Sequence, residues 1–376
     1  LNVMNLSSMV PREATSPAFI PTLLMVWFAI LTITLLQQLI SLFIKPIGSF
    51  LVMAVFLFLS AYFMKPFFFG NYAMMIRNAL LCESGVDAAE GILILSLVSL
   101  ASIAGGCVVY DRKDILSKGV WDTDREVRPR WEDGSPAHTI KLFGVVNRYD
   151  LREEFPMLTV RKQYLKSAVD ELLWIWQKKS NNIHDLRGRI WDSWADENGS
   201  IGKAYGYQLG VKHQYPEGAF DQVDRVLYDL RHNPASRRIM TNLYNFQDLH
   251  EMALYPCAYS VTFNVSGRTL NAILNQRSQD MLTANNWNVA QYAVLVHMMA
   301  QASGLEAGEL VHVIADAHIY DRHVPLVRQL LERQGRPAPA FVMDPEVTDF
   351  YRFTRDSFRL EGYDPLPFDE KIPVAI

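Results

Sequence analysis

A thiol attacks carbon only as its thiolate, so a lone cysteine in a charged stretch poses the question of what could ionise it. Cys257 is such a residue, set in MALYPCAY (252–259) just after Pro256 and just before a run with the alternation of a strand. Most single cysteines are inert small core residues, so the case rests on the neighbours. About twenty residues on, NQRSQD (275–280) packs Arg277, Ser278 and Asp280 into four positions at the end of a second alternating run. Upstream, NPASRR (233–238) sets Arg237 beside Arg238 after a turn. Guanidinium forks match phosphate oxygens and keep their charge, which fits a phosphorylated substrate. In isolation the same pair also fits a solvated surface.

These groups need elements to hold them. Residues 166–177 (KSAVDELLWIWQ) carry apolar side chains at helical spacing, which puts Glu171 near an otherwise buried face. A carboxyl group there has a raised pKa and can donate as well as accept a proton. Residues 221–231 and 289–301 (VAQYAVLVHMMAQ) also read as helices, the second apolar enough to be central. Residues 260–265 and 269–275 alternate around a Ser-Gly turn, the signature of a hairpin. Short turns join these stretches, so 110–376 is expected to be one α+β domain. No repeat, low-complexity tract or basic patch occurs, which argues against DNA as a charge-driven partner.

Residues 1–110 carry only four basic and four acidic residues, against totals of 36 and 40, so the net charge of −4 belongs to the remainder. Between those sparse charges lie uncharged runs at 14–44, 46–64 and 91–110, each near the roughly 20 residues of a membrane-spanning helix. The simplest expectation is three spans, with Leu, Ile, Phe and Met on every face; nothing matches a cleaved signal peptide. Lys45, Arg112, Lys113 and Lys118 point those ends, and the charged domain with them, to the cytoplasm, with the loop at 83–90 outside. Cys82, Cys107 and Cys257 imply no disulfide framework.

YPC, the following QRS-x-D, SRR, the ELLW run, IWD-x-WADENG and a terminal PVAI occur in family order, and on them residues 110–376 resemble the thymidylate synthase family. VRPRWEDGSPAHT (127–139) and ELLWIWQKKSNN (171–182) look like the variant class found in some Gram-positive bacteria and their phages. The resemblance implies a thymidylate synthase fold, a mixed sheet with surrounding helices that dimerises sheet to sheet. It implies reductive methylation of dUMP to dTMP, with 5,10-methylenetetrahydrofolate giving carbon and hydride. No metal and no nicotinamide is implied, and the glycines at 199, 202 and 206 lack the spacing of a dinucleotide loop.

Residue by residue, the resemblance makes Cys257 the nucleophile at C6 of uracil. It places Arg277 near that sulfur and the phosphate, and Ser278 with a partner subunit's Arg237 and Arg238 on the phosphate. Arg128 is the matching phosphate ligand of the 127–139 loop, with Arg130 close enough to compete. Glu171 acts through ordered water, Tyr205 helps remove the C5 proton, and Asn288 reads the uracil edge, since an amide donates and accepts at once. His318 and Tyr320 bind the ribose hydroxyl. Spacing alone also admits His318 and His323 as metal ligands, though without a third. Asp280 binds the pterin, Trp191 and Trp194 line the folate side, and Ile376 ends a closing tail. Ala258, Tyr255, Ala284, Ala315 and Tyr164 depart from the family pattern, and altered affinity is expected from them.

Two alternatives stand beside this reading. A pyrimidine nucleotide hydroxymethylase of the same fold would add water in place of hydride. The chain could instead be a transporter fragment with the soluble domain as passenger. GGCVVYDRKDIL (105–116) resembles the end of a bacterial ABC-2 type permease. Residues 1–109 are then either a membrane anchor or an accidental join without a role, and the second is preferred.

Overall fold

The computed structural model describes residues 19–44, 46–63, 68–74, 88–110 and 115–376. Cys82 and most of the residues expected to set orientation, namely Lys45, Arg112, Lys113 and 83–87, lie outside these. The chain divides into two compact units, Leu1–Lys113 and Asp114–Ile376.

In the first unit the three uncharged runs form α1 (Phe19–Ser41), α2 (Pro46–Phe63) and α3 (Ala88–Tyr110). The segments Leu23–Ser41 and Ala89–Gly106 are long and apolar enough to cross a membrane, whereas the apolar stretch of α2 is shorter. Three spans were expected. At 1.5 Å per residue the 18 described residues of α2 rise about 27 Å, at the lower end of the roughly 17 to 25 residues that span a hydrocarbon core of about 30 Å. Ala29 and Leu95 bring α1 and α3 together, and Thr32 Oγ1 meets Ser99 Oγ at 2.9 Å across them. The usual order of burial is inverted: Thr32, Ser49 and Ser60 are buried while Trp27 is 69% and Phe58 70% exposed.

The second unit is built on a mixed sheet of seven strands. In chain order they are β1 (Val120–Trp121), β2 (Thr139–Asp150), β3 (Met240–Asn242), β4 (Ala258–Ser266), β5 (Thr269–Gln276), β6 (Gln279–Asp280) and β7 (Glu306–Tyr320). Their spatial order is β1-β2-β7-β5-β4-β3, with β6 beside β7. The expected hairpin is β4 and β5, antiparallel, with Ser266 opposite Thr269 and Gly267 at φ +65°. Only glycine takes that angle without strain. β5 and β7 run parallel, which requires a crossover, and the helix at Asn285–Ala302 supplies it.

The expected helices form at Leu165–Trp176 (α4), Gln222–His232 (α5) and Asn285–Ala302 (α6). Asp221 caps α5 through the Asp224 N–H, and Arg231 and His232 end it, both favourable to the helix dipole. α4 and α6 lie at the centre, with Trp174, Trp176 and Leu172 packed among Val294, Leu295 and Met298. Phe143 of β2 is 87% exposed and Val146 55%, so the sheet presents apolar side chains to solvent.

Candidate active site

Hairpin pairing joins the two motifs first seen apart: the Arg277 N–H donates to Cys257 O at 2.9 Å. The Arg277 guanidinium is aimed by backbone carbonyls, Nε to Pro256 O at 3.1 Å and Nη2 to Tyr255 O at 2.7 Å. That leaves Nη2 3.6 Å from Cys257 Sγ. Burial pushes the thiol up, while the charges of Arg277 and Arg128 pull it back toward ionisation.

Tyr205 holds the other side of the cysteine. Its hydroxyl oxygen accepts the Cys257 backbone N–H at 3.2 Å. Tyr205 sits at φ +43°, unusual for a residue with a bulky side chain. Gly206 makes that bend possible, since a Cβ there would lie 2.3 Å from Ser180 O. Burial raises the phenol well above its ordinary value, so it keeps its proton and can donate it in a hydrogen bond.

Glu171 is buried on α4, where sequence spacing put it. Three donors converge on its carboxylate: Trp191 Nε1 at 2.6 Å, Trp287 Nε1 at 2.5 Å and Gln291 Nε2 at 2.5 Å. Burial raises its pKa despite these donors, which each act to lower it. Trp191 also packs edge-on against Tyr205, ring centres 5.1 Å apart, and against Trp194 at 5.6 Å.

Asn288 belongs to a chain of amides. Its Oδ1 accepts from Gln276 Nε2 at 3.1 Å and Gln279 Nε2 at 3.2 Å, and its Nδ2 donates to Gln291 Oε1 at 3.2 Å. Gln291 therefore touches both Asn288 and Glu171. Sequence reasoning missed Gln276, Gln279, Gln291 and Trp287. The one available signal was Gln291 within an otherwise apolar helix, because a buried amide needs partners.

Asp280 accepts the Thr283 Oγ1 proton at 2.5 Å and faces His323 Nδ1 at 3.7 Å. Burial opposes its ionisation, but His323 and Thr283 outweigh that and hold its carboxyl below the usual range. His318 Nδ1 meets Asp316 Oδ1 at 2.9 Å and packs edge-on to Tyr320, whose hydroxyl is pushed up to about 12 by burial. His323 Nε2 donates to Pro373 O at 2.7 Å, a bond to the C-terminal tail.

The tail meets the 127–139 loop directly. Arg130 N–H donates to Ile376 O at 2.8 Å and Ile376 N–H to Arg130 O at 3.0 Å. A cleft of about 660 Å³ opens beside this pair, lined by Arg130, Trp131, Arg322, Lys371 and Pro373. Arg128 and Arg130 thus differ: the charge of the first acts on Cys257 and Tyr320, the backbone of the second holds the tail.

Ser278 lies half-buried between Arg277 and Gln279. Arg237 and Arg238 are exposed on the turn before β3, and among the described residues no side-chain hydrogen bond or ion pair ties them to the groups around Cys257. Of the departures from pattern, Ala258 is buried at the start of β4, Tyr255 is half-exposed against Tyr244, and Ala284 precedes α6. Ala315 is half-buried in β7, and Tyr164 is exposed beside Lys162.

A cysteine flanked by a fixed guanidinium and a buried phenol, with a carboxyl group of raised pKa reached from that phenol through Trp191, defines an enzyme of nucleophilic, proton-assisted chemistry. The thymidylate synthase profile matches residues 111–376, and the chain belongs to that family. It is 44% identical over 256 residues to a thymidylate synthase of Bacillus subtilis subsp. natto, covering 67% of this chain and 91% of that one. The thymidylate synthase of Bacillus phage phi3T matches to the same extent. The solved structure of thermostable thymidylate synthase A from Bacillus subtilis superposes with a TM-score of 0.68 at 42% identity, over 71% of this chain and 97% of that one.

Proposed function

We propose that the second unit converts dUMP to dTMP, taking carbon and hydride from 5,10-methylenetetrahydrofolate as cosubstrate and releasing dihydrofolate. The observation that carries this is the 3.6 Å approach of Arg277 Nη2 to Cys257 Sγ in a family of this activity. Cys257 adds to C6 of uracil, making C5 a carbon nucleophile and dividing one hard step into easier ones. Arg277 and Arg128 stabilise the thiolate and bind the phosphate with Ser278. Tyr205 orders the water that removes the C5 proton. Glu171, kept protonatable by burial, gives and takes protons through water at the pyrimidine carbonyl and the folate.

Asn288 reads uracil O4 and N3, His318 and Tyr320 bind the ribose, and Asp280, Trp191 and Trp194 contact the folate. The tail through Ile376 closes over it. The exposed apolar face of β2 supports a sheet-to-sheet homodimer, and the exposure of Arg237 and Arg238 supports their crossing to the partner's phosphate. Incubation with dUMP and methylenetetrahydrofolate should give a product of thymidylate mass, absent with Cys257→Ser. A product one oxygen heavier than thymidylate would assign the hydroxymethylase reaction instead.

For the first unit we infer contact with lipid hydrocarbon. Buried hydroxyls and exposed Trp27, Phe50 and Phe58 suit a solvent in which apolar surface is not penalised. No residue of this unit enters the chemistry above. Carbonate extraction of membranes tests it: full-length chain recovered in the supernatant would refute lipid embedding.

A further inference from the structure

His312, in the middle of β7, is completely buried yet has no part in the chemistry above. Its Nε2 lies 2.6 Å from Gln276 Oε1, and among the described residues its buried Nδ1 has no hydrogen-bond partner. A carbonyl oxygen can only accept, so Nε2 carries the proton and Nδ1 the lone pair. Burial pushes the imidazole down to about 4, which keeps the ring neutral with that single N–H.

The consequence passes to Gln276. With its oxygen facing His312, Gln276 turns its nitrogen the other way, where Nε2 donates to Gln279 Oε1 and to Asn288 Oδ1 at 3.1 Å, and Gln279 Nε2 donates to the same Asn288 oxygen at 3.2 Å. Asn288 Oδ1 thus faces the two glutamines, while Nδ2 donates to Gln291 Oε1, whose own nitrogen is taken by Glu171; the His312–Gln276 link adds to these. An amide flips end for end at little steric cost, because its nitrogen and oxygen are nearly the same size, so hydrogen bonds alone decide the orientation. Uracil offers an acceptor at O4 and a donor at N3, and cytosine offers the reverse, a donor at N4 and an acceptor at N3. The two bases therefore require opposite orientations of one reading amide.

We propose that His312 is a positioning residue for base selectivity: through Gln276 it locks the Asn288 amide in one orientation and so favours uracil nucleotides over cytosine nucleotides. The inference rests on Asn288 being the residue that reads the pyrimidine. His312 touches no substrate, and its effect runs through two side chains.

The test is equilibrium binding of dUMP and of dCMP to the full-length chain, followed by tryptophan fluorescence. Asn288→Asp, His312→Phe, His312→Gln and Gln276→Met are compared with the parent. His312→Phe is expected to lower the dCMP-to-dUMP ratio of dissociation constants about tenfold, the scale of one lost orienting hydrogen bond. His312→Gln keeps an N–H donor and is expected to recover most of the ratio, which a general packing defect would not permit. If His312→Phe fails to fold, Gln276→Met breaks the same link with the histidine in place. A ratio unchanged in both link-breaking variants while Asn288→Asp alters it would overturn the inference and leave the reading of Asn288 intact. A ratio unchanged by Asn288→Asp as well would overturn both.

Discussion

Arg277 Nη2 makes two contacts at once, 2.7 Å to Tyr255 O and 3.6 Å to Cys257 Sγ, so a backbone carbonyl holds the charge beside the thiol. Burial drives the thiol up and the guanidinium opposes it, hence removing the guanidinium raises the thiol further. Arg277→Ala should shift the pH dependence of Cys257 alkylation to more alkaline values and lower kcat/KM about 10²-fold. An alkylation profile that does not move would show that the charge has no influence on the sulfur.

Glu171 titrates above the ordinary carboxylate range because desolvation outweighs three donors. Each donor stabilises the ionised form, so Trp287→Phe removes one such bond and the pKa should rise again. The limb of the kcat–pH profile governed by Glu171 should then move alkaline. Glu171→Gln should cost about 10²- to 10⁴-fold in kcat, the usual contribution of a positioned acid or base. A Trp287→Phe profile displaced to the acid side contradicts this account.

Arg237 and Arg238 lie exposed, unbonded to their own protomer's Cys257 region. If they cross to the partner, Cys257→Ser and the double variant Arg237→Ala, Arg238→Ala should each be inactive alone. Mixed dimers should regain activity, because one of the two sites then combines an intact cysteine with an intact arginine pair. Co-expression followed by assay decides it, and no recovery in verified mixed dimers would place the arginines elsewhere.

The Arg130–Ile376 pair is two backbone bonds, both of them made by Ile376. Deleting Ile376 removes both while leaving the loop sequence unchanged. The KM for methylenetetrahydrofolate should rise at least about tenfold, with kcat also falling, as expected for loss of a closing segment. Unaltered steady-state constants in the deletion would remove the tail from the catalytic cycle.

The sequence made legible what depends on local spacing. Glu171 on a buried helix face and the β4–β5 hairpin follow from periodicity and a short loop, whereas the nearness of Cys257 to Arg277 was expected only from the family resemblance. The partners of Glu171 did not, because Trp287 and Gln291 lie 116 and 120 residues away along the chain. Nor did the bend at Tyr205, where the angle is imposed by contacts of Gly206 with the 180 region.

One amide, that of Gln291, is shared between Glu171 and Asn288. Substitutions at the proton donor and at the base reader are therefore not independent: their effects should be epistatic, with a double variant departing from the sum of its singles. A search for altered pyrimidine range that varies one position at a time would traverse inactive intermediates. Productive paths change 171, 288 and 291 together.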